Sequence, residues 1–96
     1  MSIFSRLFGA KPGDGHAAPK TFKTVEHKGF RIDAQPYAAD GQYQVAGLIS
    51  KEVDGARLEH RFVRADRFGG LSDAADIAIL KAQQMIDQQG ERLFGA

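Results

Sequence analysis

"DGQYQVAGLISKEVDG", residues 40 to 55, begins and ends on Asp-Gly. Two-residue Asp-Gly loops suit the tight turns between antiparallel strands, because both central residues there take positive φ and glycine does so without steric cost. The stretch between the two pairs therefore reads as one strand shared by two hairpins. If Ala39 faces Gln42 across the first turn and Val53 faces Ala56 across the second, alternation assigns each neighbouring side chain to a face. One face collects Phe30, Ile32, Ala34, Pro36, Val45, Gly47, Ile49, Leu58, His60 and Phe62. The other collects Arg31, Asp33, Gln35, Gln44, Ala46, Leu48, Ser50, Glu59, Arg61, Val63 and Ala65, a mixture that tolerates water. Both turns, read independently, select the same apolar face as core.

In this register Gly47 lies between Ala34 and Phe62, leaving room for a ring or a close-packed helix that a larger residue would fill. Residues 22 to 28, "FKTVEHK", either extend the first strand or form a short fourth one, with Gly29 as a bend or bulge. After Gly69-Gly70 the pattern changes. Ser72 or Asp73 is placed to cap a helix, and Asp73 and Asp76 suit the positive end of its dipole. At 3.6 residues per turn, Ala75, Ala78, Ile79, Ala82, Ile86, Gln89 and Leu93 form one stripe with Met85 at its edge. Gly90 marks where the helix ends or frays. The expected fold is α+β: a three-stranded meander, or four-stranded if residues 22 to 28 pair, covered on one face by a long C-terminal helix.

Residues 1–9 form two turns of amphipathic helix, with Ile3, Phe4, Leu7 and Phe8 in i,i+4 pairs. Residues 10–21 are a linker, marked by Pro12, Gly13, Gly15 and Pro19 and by the lack of apolar periodicity. Residues 22–94 form one β-β-β-α domain. "MSIFSRLFGA" is too short to span a bilayer and is broken by Arg6, so neither a transmembrane segment nor a secretory signal is expected. Thirteen basic and twelve acidic side chains give a net charge of +1, so binding a polyanion would require local segregation of charge. With no cysteine, the chain can form neither a disulfide nor a thiolate metal site, which fits a reducing cytoplasm.

"HRFVRADR", residues 60 to 67, supplies the candidate nucleic-acid contacts: Arg61, Arg64 and Arg67, with Lys51 nearby. Regular strand geometry sends Arg61 and Arg64 to opposite sides, which disperses the charge into local ion pairs with Glu59, Asp33 and Asp66. A short helix, three strands and a long helix is also the order of a double-stranded-RNA-binding domain. Asp73 and Asp76 at the front of the last helix would repel the phosphates such a domain holds. Ile77 and Leu80 point away from the helix stripe and, with Phe4, Leu7 and Phe8, form the candidate protein-interaction surface, for a second copy or another protein. No catalytic, metal or cofactor site is expected, and no small-molecule ligand. His16 lies in the linker, His27 and His60 have no companion at metal-ligand spacing, and Ser50 beside Glu59 and Arg31 lacks a histidine base.

Three stretches, "GQYQVAGLISKEVDG", "EHRFVRADRF" and "AADIAILKAQQMIDQQGERLF", resemble the HlyU family of small bacterial proteins, and the likeness extends to the N-terminal "SIFSRLFG". The resemblance implies a small cytoplasmic bacterial protein that activates transcription and is not an enzyme. Two modes of action remain open. The chain regulates transcription through a protein partner or by weak DNA contact through its arginines. Alternatively it is an adaptor or self-associating module that touches no nucleic acid.

Overall fold

The computed structural model of the chain describes residues 20–95. The expected N-terminal helix and nearly all of the linker lie outside the described residues. The strands are β1 (Lys23–His27), β2 (Phe30–Ala34), β3 (Tyr37–Ala39), β4 (Gln42–Val53) and β5 (Ala56–Phe68). They are followed by helix α1 (Leu71–Gln89) and a 3₁₀ segment, Gly90–Phe94. The sheet is antiparallel, and Ala39 faces Gln42 and Val53 faces Ala56 as the two Asp-Gly turns predict.

There are five strand segments where three or four were expected. β2 and β3 lie end to end along the same edge of β4 in one continuous register, Ala34 opposite Gly47 and Tyr37 opposite Gln44. They are separated at Gln35-Pro36, because proline has no N–H to continue the ladder. β1 is a true strand paired to β2 from Lys23–Ala34 to His27–Phe30. Gly29 is thus neither bend nor bulge. Lys28 and Gly29, at φ 53° and 83°, form a third two-residue turn like Asp40-Gly41 and Asp54-Gly55.

α1 covers the apolar face, where Ile32, Val45 and Ile49 have no solvent exposure and Phe62 is buried. Ala74, Ala75, Ala78 and Ala82 are all fully buried, so their small side chains let the helix settle low on the sheet. This close seating draws in the flank of the helix as well. Ile77, expected on the outer side, packs against the core, while Gln89 is exposed and Leu80 remains about half exposed. The helix starts one residue before Ser72, with Gly70 as N-cap and no side-chain cap bond. It ends at Gly90, whose φ of 56° stops it. The 3₁₀ segment then folds Leu93 into the core and stacks Phe94 on Phe30, ring centroids 6.0 Å apart.

A cross-sheet contact sets the depth of this packing. A Cβ on Gly47 would lie 2.6 Å from Phe62 Cζ and 2.8 Å from the Asp33 carbonyl oxygen. Gly47→Ala is expected to destabilise the fold by about 1–3 kcal/mol in urea unfolding. Combined with Phe62→Leu, the loss should be less than the sum of the two single losses, because the ring is one of the two obstacles.

Ion pairs fasten β1 and its turn to the helix. Lys23 meets Asp76 at 3.0 Å, and Asp87 receives Lys28 Nζ at 2.8 Å and His27 Nε2 at 2.9 Å. Hydrogen bonds from Lys28, then from His27, hold the Asp87 carboxyl below its ordinary value. The folded chain thus binds that proton more weakly than the unfolded chain. The contribution is fully present above the ordinary carboxylate pKa and is lost as pH falls through the lowered one. Asp87→Asn should therefore flatten the acid limb of a stability-versus-pH curve while leaving the neutral limb parallel to wild type.

Candidate functional site: the open face of the sheet

The face turned away from α1 carries most of the polar side chains that the sequence brings together. Asp33, Gln35, Gln44 and Ser50 are buried there. Burying such groups is costly unless each finds a partner. Their cover is a layer of long neighbours. Asp33 Oδ1 accepts from Thr24 Oγ1 at 2.7 Å and from Arg31 Nε at 3.1 Å. Arg61 Nη1 reaches across the sheet to Gln35 Oε1 at 3.2 Å, and Gln35 Nε2 donates to Thr21 at 3.1 Å. Arg57 Nη2 approaches Ser50 Oγ at 3.4 Å and pairs with Glu59 at 2.9 Å. Ser50 thus meets an arginine rather than a base.

At one end of this face β5 bulges. Ala46 faces Val63, but Gln44 faces Arg67, so Arg64, Ala65 and Asp66 share the space opposite Val45. The extra residues leave carbonyls without ladder partners. Gln44 serves them. Its Nε2 donates to the Arg64 carbonyl and, at 3.3 Å, to the Asp66 carbonyl, while its Oε1 accepts from Arg67 Nε at 2.8 Å. Arg67 also reaches Asp40 in the first Asp-Gly turn at 3.1 Å, rather than the adjacent Asp66. Gln44 is the residue that sequence reasoning missed. It sits where alternation predicts, but its role depends on two surplus residues in the facing strand.

The four candidate cations do not converge. Arg61 and Arg67 lie on the open face in intramolecular bonds. Lys51 lies on the helix side, bound to Glu91 at 2.8 Å and over the Phe30 ring at 4.7 Å. Arg64 sits in the bulge, and none of the described residues pairs with its guanidinium. The open face also carries apolar surface. Phe22, whose N–H bonds to the Ala34 carbonyl, precedes β1. In register, Gln35, Ala46 and Val63 follow one another across the sheet, and Tyr37 stands beside them. Phe22, Tyr37 and Val63 are each about half exposed. Near the turn of β1 and β2, residues Glu26, Gly29, Arg31, Ser50, Lys51, Glu52 and Arg57 line an open cavity of about 370 Å³.

A family model described as transcriptional activator HlyU matches residues 2–94. The chain belongs to the HlyU family. The match takes in nearly the whole chain and assigns it to transcriptional regulation rather than to an enzyme family. No curated protein and no solved structure matches the chain. Among the described residues, no helix is long and apolar enough to cross a membrane, and no group of three histidines or carboxylates is placed to hold a metal ion. Of the interaction residues expected from sequence, Leu80 is exposed and Ile77 is packed inward, while Phe4, Leu7 and Phe8 lie outside the described residues.

Gln44→Leu keeps the volume of the side chain but strands the bulge carbonyls and frees Arg67. A loss of about 1–3 kcal/mol in urea unfolding is expected, with amide chemical-shift changes concentrated at Arg64–Phe68.

Proposed function

We propose that this HlyU-family chain regulates transcription by binding another protein through the open face of its sheet, and not by holding DNA. The observation that carries this reading is the state of its cations. Arg61, Arg67 and Lys51 each neutralise or hydrogen-bond a group of the same chain, and they are divided between the two sides of the sheet. A phosphate contact would have to compete with those bonds. It would also face Asp40 beside Arg67 and Glu91 beside Lys51.

The open face suits a protein partner better. Protein interfaces combine exposed aromatic and aliphatic anchors with a polar rim, and here Phe22, Tyr37 and Val63 are set among charges of both signs. The front of α1 adds to the case against nucleic acid, because Asp73 and Asp76 occupy the helix end that would otherwise favour phosphate.

Fluorescence anisotropy with duplex DNA at about 50 mM salt should give no saturable binding. Saturable binding that weakens steeply with salt, with a slope reduced by Arg64→Gln and Arg67→Gln, would transfer the function to DNA contact. In a strain of the source organism lacking the chain, transcript levels should be restored by wild type and by Arg64→Gln. Phe22→Asp/Tyr37→Asp should fail to restore them while melting like wild type.

A further inference from the structure

β5 has thirteen residues and is paired on one side only, to β4. Among the described residues nothing pairs with its outer edge. An unpaired edge of this length is a template for another strand unless it is blocked by proline, bulges or mismatched charge. From Arg57 to Val63 it contains no proline and keeps an unbroken register with β4. α1 sits mainly over β2 and β4, which leaves Leu58 and His60 half-buried on the helix side of this edge.

The direction of the outward peptide groups follows from the turn. Val53 and Ala56 flank a two-residue loop and exchange both backbone hydrogen bonds. Alternation then turns the peptide groups of Leu58, His60 and Phe62 toward β4. Those of Arg57, Glu59, Arg61 and Val63 point outward. The edge thus offers a donor and an acceptor at every second residue, the pattern an antiparallel partner needs.

The charges suit a second copy of the same edge and disfavour the registers on either side of His60. If a second copy of β5 pairs antiparallel about a two-fold axis at His60, Glu59 stands opposite Arg61 of the second copy, and Arg57 opposite its Val63. Each pair occurs twice, and Leu58 stands opposite Phe62 on the helix side. With the axis at Glu59, that carboxylate would oppose itself and Arg57 would oppose Arg61. With the axis at Arg61, that guanidinium would oppose itself. Like charges directly opposite are unfavourable, so the neighbouring registers are penalised. The bulge at Arg64–Asp66 ends the regular edge just past Val63.

We propose that the chain forms a homodimer by antiparallel pairing of β5 with β5, centred on His60, so that one sheet runs through both copies with both helices on the same face. This edge shares Val63 with the open face but takes in neither Phe22 nor Tyr37, so its test does not depend on those two side chains.

The chain has no cysteine, so a single introduced thiol reports its own contacts. At the axis, residue 60 forms a non-hydrogen-bonded pair with a Cα separation of about 4.5 Å, within disulfide reach. Under mild oxidation the full chain carrying His60→Cys should become a covalent dimer, whereas Leu58→Cys, offset along the strand, should not. By light scattering and sedimentation, wild type should be dimeric. Glu59→Arg and Arg61→Glu should each weaken association by about tenfold or more, and the double exchange should recover it. A wild-type monomer up to about 100 μM, equal cross-linking at 58 and 60, or no recovery in the double variant would overturn the proposal. If a charge variant melts early, the cysteine pair decides alone. A dimer that persists in Phe22→Asp/Tyr37→Asp separates this result from the test of the open face.

Discussion

The helix side of the molecule depends on Phe62 lying over the bare backbone of Gly47. The ring occupies the space where any other residue would place its Cβ, 2.6 Å from Phe62 Cζ. An aromatic ring is thereby held close to the sheet rather than standing on it. The alanines of α1 complete the arrangement, since four of them are fully buried against the strands. Large side chains at both positions would separate the layers and open voids, and small ones at both would leave the ring unsupported. Lys23, Lys28 and His27 then tie the outer strand and its turn to acidic residues of the helix.

The opposite side follows a different logic. Its central positions are polar, yet Asp33, Gln35, Gln44 and Ser50 are buried, because arginines of the same sheet lie down across them. A guanidinium can do this with its alkyl stem on the sheet surface and its nitrogens on an amide or carboxylate. The arginines thereby cease to be a reservoir of positive charge for a ligand. What remains accessible is a set of half-exposed apolar side chains among balanced charges, together with the long outer edge of β5. For a member of a family of transcriptional activators, these features direct attention to protein surfaces.

Much of this was legible before any coordinates. The two Asp-Gly pairs set the register of β4 with both neighbours, and that register sorted Ile32, Ile49 and Phe62 to one face and Asp33, Leu48 and Arg61 to the other. Local chemistry was enough, because a two-residue turn leaves the flanking strands no freedom to slip. The Lys28-Gly29 turn was harder to see. Lysine at positive φ is unfavourable by itself, and its position is supported by Asp87, far away in sequence. The helix cap was misplaced by two or three residues, because Gly70 serves as N-cap without a side-chain bond, and Ser and Asp residues just beyond it mimic the usual signal.

The sequence by itself determined the hairpin register, the core face of the sheet and the stripe of the helix, because each rests on periodicity and turn chemistry within a few residues. Only the tertiary structure decided the rest. It showed that β5 carries surplus residues opposite Val45, that Gln44 serves their carbonyls, and that Ile77 is drawn inward by a closely seated helix. It also showed that Arg61 and Arg67 are engaged within the fold. Those outcomes depend on which groups face one another across strands, and an arginine's availability is set by the partner that reaches it first.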